Sequence, residues 1–79
     1  MPNNLITRVR GTHSLAPDSI VVLYDPWGSI RTYAKFGKWS IETETFDTGY
    51  CCSTDKDKIR AVQYARHWAL TGKEKTNIE

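Results

Sequence analysis

The spacing of hydrophobic residues changes character twice along this chain. From Ser19 to Tyr24 the run Ser-Ile-Val-Val-Leu-Tyr is almost unbroken and rich in β-branched residues. From Ser29 to Lys35 apolar and polar residues alternate, and beyond Thr54 apolar residues recur at steps of three and four. The first two segments predict strands and the third a helix.

Between the two strands, Asp25-Pro26-Trp27-Gly28 has Asp at the first corner, Pro with its preset φ at the second and Gly last, the residue order of a type I turn. A second hairpin is expected at Phe36-Gly37. With those two residues as the loop, Ala34 faces Trp39, Thr32 faces Ile41 and Arg31 faces Glu42. That register puts Ile30, Thr32, Ala34, Trp39, Ile41 and Thr43 on one face and Arg31, Tyr33, Ser40, Glu42 and Glu44 on the other. A bulge at Gly28 decides whether Ile20, Val22 and Tyr24 or Val21 and Leu23 point inward. Either way, one apolar set from the first strand stays on the outer side.

Residues 1–17 read as an arm or an edge strand, with Leu5 to Arg10 extended and Arg8 and Arg10 projecting to one side. After Phe46, a turn and a brief further strand are expected around Tyr50-Cys51-Cys52. Thr54 then stands as a helix N-cap with Asp57 three residues on, an approximate capping box, and Gly72 is a suitable C′ residue with Lys73 just beyond. Within 54–71, Ile59, Val62, Ala65 and Ala69 form the expected buried side, flanked by Ala61 and Trp68, and Trp39 and Ile41 are the expected sheet residues beneath them. Lys56, Arg60, Gln63 and His67 form the polar stripe. The fold class that follows is α+β: a small antiparallel sheet of three to four strands within 19–52 and one C-terminal helix packed on one face. It is read as a single domain over residues 1–79, with 73–79 as a frayed tail.

Composition adds little to this picture. At 79 residues the chain is near the size where one core only just offsets chain entropy, and a net charge of +2 is too mild to argue for nucleic acid or a membrane surface. The two cysteines, Cys51 and Cys52, are adjacent and give no disulfide framework, so a reducing, cytoplasmic setting is expected. No charged start leads into an apolar run, and no segment approaches the roughly 20 apolar residues of a membrane span.

Candidate chemistry is thin. His13 and His67 are the only histidines, the serines lack a nucleophile-elbow context, and Glu42 and Glu44 have Arg31 as an ordinary ion-pair partner. A zinc site can be imagined from Cys51, Cys52, His67 and His13, but neighbouring cysteines chelate a tetrahedral ion poorly. No enzyme activity, cofactor or metal is therefore expected.

The residues favour binding. Trp27 at a turn tip, Tyr24 and Tyr33, and a rim of Arg31, Lys35 and Lys38 with Glu42 and Glu44 are the residue types that anchor and orient protein interfaces. The expectation is a small non-enzymatic intracellular protein, monomer or homodimer, that inhibits or modulates a larger protein or nucleoprotein complex by contact. Phage-encoded inhibitors of host defence or transcription complexes belong to that class. The alternative is a nucleic-acid-binding domain using Arg8, Arg10, Arg31, Lys35 and Lys38.

For that alternative, Gly37-Lys38-Trp39-Ser40-Ile41-Glu42-Thr43-Glu44-Thr45-Phe46-Asp47-Thr48, followed by Ala61-Val62-Gln63-Tyr64-Ala65-Arg66-His67-Trp68-Ala69, resembles the integrase N-terminal domains. The resemblance covers the last half of the chain and implies a three-stranded sheet that reads a DNA groove, with a helix behind it. In those domains Phe-Asp-Thr leads almost directly into the helix, whereas here Gly49 to Ser53 intervene. Glu42 and Glu44 also oppose polyanion binding on the face that would touch phosphate.

Overall fold

The structure, a computed structural model, describes residues 4–46 and 54–74. Its order is β1 (Leu5–Arg10), β2 (Ser19–Tyr24), β3 (Ile30–Phe36), β4 (Trp39–Phe46) and α1 (Asp55–Thr71). The strands form one antiparallel meander in the order β1-β2-β3-β4, and α1 lies across one face, touching all four. This is the expected α+β architecture. The segment Leu5 to Arg10 is an edge strand of the sheet; the further strand expected around Tyr50 to Cys52 lies outside the described residues.

Local chemistry explains where the elements begin and end. In the β2–β3 turn, Gly28 N–H donates to the Asp25 carbonyl at 3.0 Å and Gly28 takes φ 87°, so the type I turn ends in a left-handed bulge that suits glycine. That bulge resolves the facing of β2. Ile20, Val22 and Tyr24 point to the helix side, and Val21 and Leu23 point away. At α1, Thr54 Oγ1 accepts from Asp57 N–H while the Asp57 carboxylate accepts from Thr54 N–H, a complete capping box worth about 1 kcal/mol. Gly72 at φ 75° closes the helix, donating to the Trp68 carbonyl. The β1–β2 loop caps the same end, since Thr12 and His13 N–H both donate to the Ala69 carbonyl, at 2.9 and 3.1 Å.

The second hairpin departs from expectation. Its two-residue loop is Gly37-Lys38, so Phe36 pairs with Trp39, Ala34 with Ile41 and Tyr33 with Glu42. The physical reason is Gly37 at φ 61°, with no non-glycine residue at positive φ: a loop of Phe36-Gly37 would ask for left-handed backbone at Phe36 as well. The register then slips between Tyr33 and Thr32, leaving Thr43 as an extra residue. Thr32 clamps this bulge, because its buried hydroxyl lies 2.9 Å from Thr43 Oγ1, accepts from Glu44 N–H and donates to the Glu44 carbonyl, both at 3.0 Å. As a result Arg31 lies opposite Thr45, and Glu44, opposite Thr32, turns to the helix side rather than joining Glu42.

The core is formed by Ile20, Val22, Ile30, Ala34 and Phe46 against Ala61, Tyr64, Ala65, Trp68 and Ala69. The helix is rotated relative to its expected facing. Tyr64 is buried, its phenol pushed to higher pKa by burial, while Ile59 is exposed. Rings drive this choice: Tyr64 packs at a tilt against Phe46 at 5.5 Å and Trp68 at 5.9 Å, and Trp68 and Phe36 meet edge to face at 6.4 Å. The alanines between them let the helix approach closely. Trp39 and Ile41, the residues expected beneath the helix, are 75% and 54% exposed instead, because α1 reaches β4 chiefly through Phe46 at the strand's other end.

Candidate binding face

The sheet face opposite α1 is built from alternating residues of all four strands. Leu5, Arg8 and Arg10 come from β1, Ser19, Val21 and Leu23 from β2, Arg31, Tyr33 and Lys35 from β3, and Ser40, Glu42 and Thr45 from β4. Their pairing makes three rungs. Leu5, Leu23, Arg31 and Thr45 lie in one, Arg8, Val21, Tyr33 and Glu42 in the next, and Arg10, Ser19, Lys35 and Ser40 in the last. Among the described residues no element crosses this face, so its middle is a shallow apolar strip of Leu23, Val21 and Tyr33 with charges at both sides. Val21, although only 6% exposed, is shielded by its rung neighbours and not by a covering layer.

Asp25 rigidifies the Trp27 end. One carboxylate oxygen accepts from the N–H groups of Trp27 and Ser29, each at 2.9 Å, and the other accepts from Arg31 Nε at 2.9 Å. Arg31 reaches on to the Glu42 carboxylate. The Arg31 guanidinium, opposed by burial and assisted by the Ser29 and Trp27 N–H groups, holds the Asp25 carboxyl below the usual carboxylate range. This chain of charges ties the turn to β3 and β4. Trp27, 76% exposed, is thereby presented on a fixed backbone.

The expected site residues therefore divide. Trp27, Arg31, Tyr33 and Lys35 lie at or on the outer face, and Arg8 and Arg10 join them from β1. Tyr24 does not, because β2 turns it toward the helix side, where it packs against the core. Lys38 sits in the Gly37-Lys38 turn at the far tip of the β3–β4 hairpin. Glu44 leaves the face through the Thr43 bulge. Two contributors escaped sequence reasoning. Leu5 joins Leu23 only because β1 is irregular between Leu5 and Thr7, which no residue type announces, whereas the Asp25 link to Arg31 was legible in an acid at the first corner of a turn with a cation on the strand beyond.

Electrostatically the face is lopsided. Arg31 is shared between Asp25 and Glu42, whereas Arg8, Arg10 and Lys35 form no ion pair among the described residues. Arg10 and Lys35 thus stand at one end of the face, Arg8 on its middle rung, and the Trp27 turn at the other end. No cluster of His, Cys, Asp and Glu able to hold a metal ion occurs among the described residues, and no described helix is long and apolar enough to cross a membrane. His13 is engaged locally, its Nδ1 accepting from Leu15 N–H at 3.0 Å. No protein-family model matches the chain, and neither a curated protein nor a solved structure matches it significantly.

Proposed function

We propose that this protein is a non-enzymatic binding protein that docks on a larger protein assembly through its outer sheet face and the Trp27 turn, and acts by occluding or modulating that assembly. The observation that carries this reading is the Asp25 clamp. An exposed indole on a mobile loop loses much of its contact energy to ordering on binding, whereas a tip already held by three hydrogen bonds to one carboxylate avoids most of that cost. Trp27, Tyr33 and Arg31 supply the side-chain types that dominate interface energetics, and half-buried Leu23 with exposed Leu5 supplies apolar area beside them. The unpaired Arg8, Arg10 and Lys35 favour a partner with acidic groups at the matching rim. The adjacent cysteines support a reducing, cytoplasmic setting.

A second reading has one specific observation behind it. Glu44, expected on the reading surface, turns to the helix side and leaves Glu42 as the one acid in the three rungs beside Arg8, Arg10, Arg31 and Lys35, which favours a nucleic-acid backbone. Parallel affinity captures from the source organism's extract distinguish the two, using the wild-type chain, Trp27→Ala and Tyr33→Ala. A protein retained by the wild type and lost by both variants is the expected result, with binding that weakens only modestly as salt screens the charged rim. Equal retention by all three overturns the protein reading. Duplex binding that weakens steeply with ionic strength and disappears in Arg8→Ala/Arg10→Ala establishes the other.

A further inference from the structure

We propose that the outward stripe of α1 is a homodimer contact, in which this helix packs antiparallel against the same helix of a second copy. On the side of α1 roughly opposite its buried residues, Asp55, Ile59 and Gln63 form one row at four-residue steps and Lys58, Val62 and Arg66 a second. An open groove of about 530 Å³ runs between the rows. Rows of this kind are the ridges that interlock when two helices cross at about −50°. Ile59, 57% exposed on the side turned away from the sheet, is no part of the buried core among the described residues, and Val62 extends it into an apolar centre.

What identifies the occupant as a second copy is self-complementarity. A two-fold interface requires that if one residue meets another, the reverse contact also occurs. Setting Ile59 against Val62 of the second copy places Asp55 against Arg66 and Lys58 against Gln63, so all six lining residues pair off among themselves. Neither Asp55 nor Arg66 is in an ion pair among the described residues, so both are available. A parallel pairing would put Asp55 beside Asp55 and Arg66 beside Arg66. Like charges disfavour it. Contact through one helix is smaller than the roughly 1,200–2,000 Å² of a stable interface, so the dimer is weak and concentration-dependent. It leaves both outer sheet faces pointing away from each other, and it stands independently of the function proposed for them.

Sedimentation velocity on the full chain over a wide concentration range tests this. The wild type is expected to shift from monomer to dimer with concentration, and Ile59→Glu, which sets two carboxylates at the apolar centre, to remain monomeric with an unchanged melting temperature. Asp55→Arg and Arg66→Asp are each expected to weaken self-association roughly tenfold, since the symmetry repeats each repulsion. Mixed one to one, those two variants restore it, because each then offers the charge the other lacks. Asp55 stands at the helix start, so a folding defect in Asp55→Arg is checked by its melting curve; Arg66→Asp and Ile59→Glu do not share that risk. A chain that stays monomeric at every concentration overturns the proposal, as does a dimer unaffected by Ile59→Glu or one that mixing fails to restore.

Discussion

The two faces of β2 carry apolar residues in nearly equal measure and meet opposite fates. Ile20 and Val22 are fully buried beneath α1, whereas Val21 and Leu23, one step along the same strand, look out from a surface that no described element covers. A strand apolar on both sides implies two covering layers, and the one helix among the described residues supplies one. The difference teaches a division of labour. Residues on the helix side hold the fold together, and the exposed ones on the other side are those left for the recognition proposed above. Substitutions that separate stability from binding either sharpen that division or break it.

The largest effect is expected on the covered side. Ile30→Ala removes a fully buried side chain from the middle of the core, where the helix and the neighbouring strands cannot collapse into the space, and should cost about 2–5 kcal/mol in urea unfolding. Tyr33→Ala on the outer face should cost less than half as much in the same experiment, because Tyr33 is only half-buried and lies on the sheet face that no described element crosses. Equal costs would mean that the outer face is structural after all.

A smaller and pH-dependent effect is expected at the clamp joining the turn to the open face. Asp25→Asn keeps an oxygen for the Trp27 and Ser29 N–H groups and removes the charge that pairs with Arg31. The folded-state pKa of Asp25 is depressed, so its ionised form stabilises the native state at pH values above the unfolded pKa, and that contribution is lost as pH falls through the folded one. The melting-temperature gap between wild type and Asp25→Asn should therefore be full above roughly pH 5 and close progressively in stronger acid. A gap that persists in acid would assign the loss to turn geometry instead of charge.

How far the residues alone reached depends on whether the signal was local. The Asp25-Pro26-Trp27-Gly28 turn and the Thr54, Asp57 and Gly72 caps were legible because each rests on a few neighbouring atoms: a carboxylate over N–H groups, a glycine at positive φ. The β3–β4 register was legible in principle, since a two-residue loop with glycine first needs no strained Phe36. Parity survived that error, so the faces of Ile30 and Tyr33 came out correctly, but the slip at Thr43 moved Glu44 across the sheet. That bulge is held by the Thr32 hydroxyl from a neighbouring strand, a contact that exists only after pairing. The rotation of α1 was hidden for the same reason. Ile59 and Val62 look like core residues until Phe36 and Phe46 are in place to draw Trp68 and Tyr64 inward.

The smallest effect on stability is expected where the effect on binding is greatest. Trp27 is held by its backbone, through N–H to the Asp25 carboxylate, and its indole lies in solvent. Replacing the ring with a methyl group leaves that hydrogen bond, the Gly28 bulge and the Arg31 pair untouched, so Trp27→Ala should unfold within about 0.5 kcal/mol of the wild type in urea. The indole's apolar area has then been exposed for some purpose other than folding. A marked loss of stability would show the ring to be packed on the fold in solution and would remove the tip from the proposed interface; near-neutrality, together with loss of the captured partner, would place recognition and folding on opposite sides of one strand.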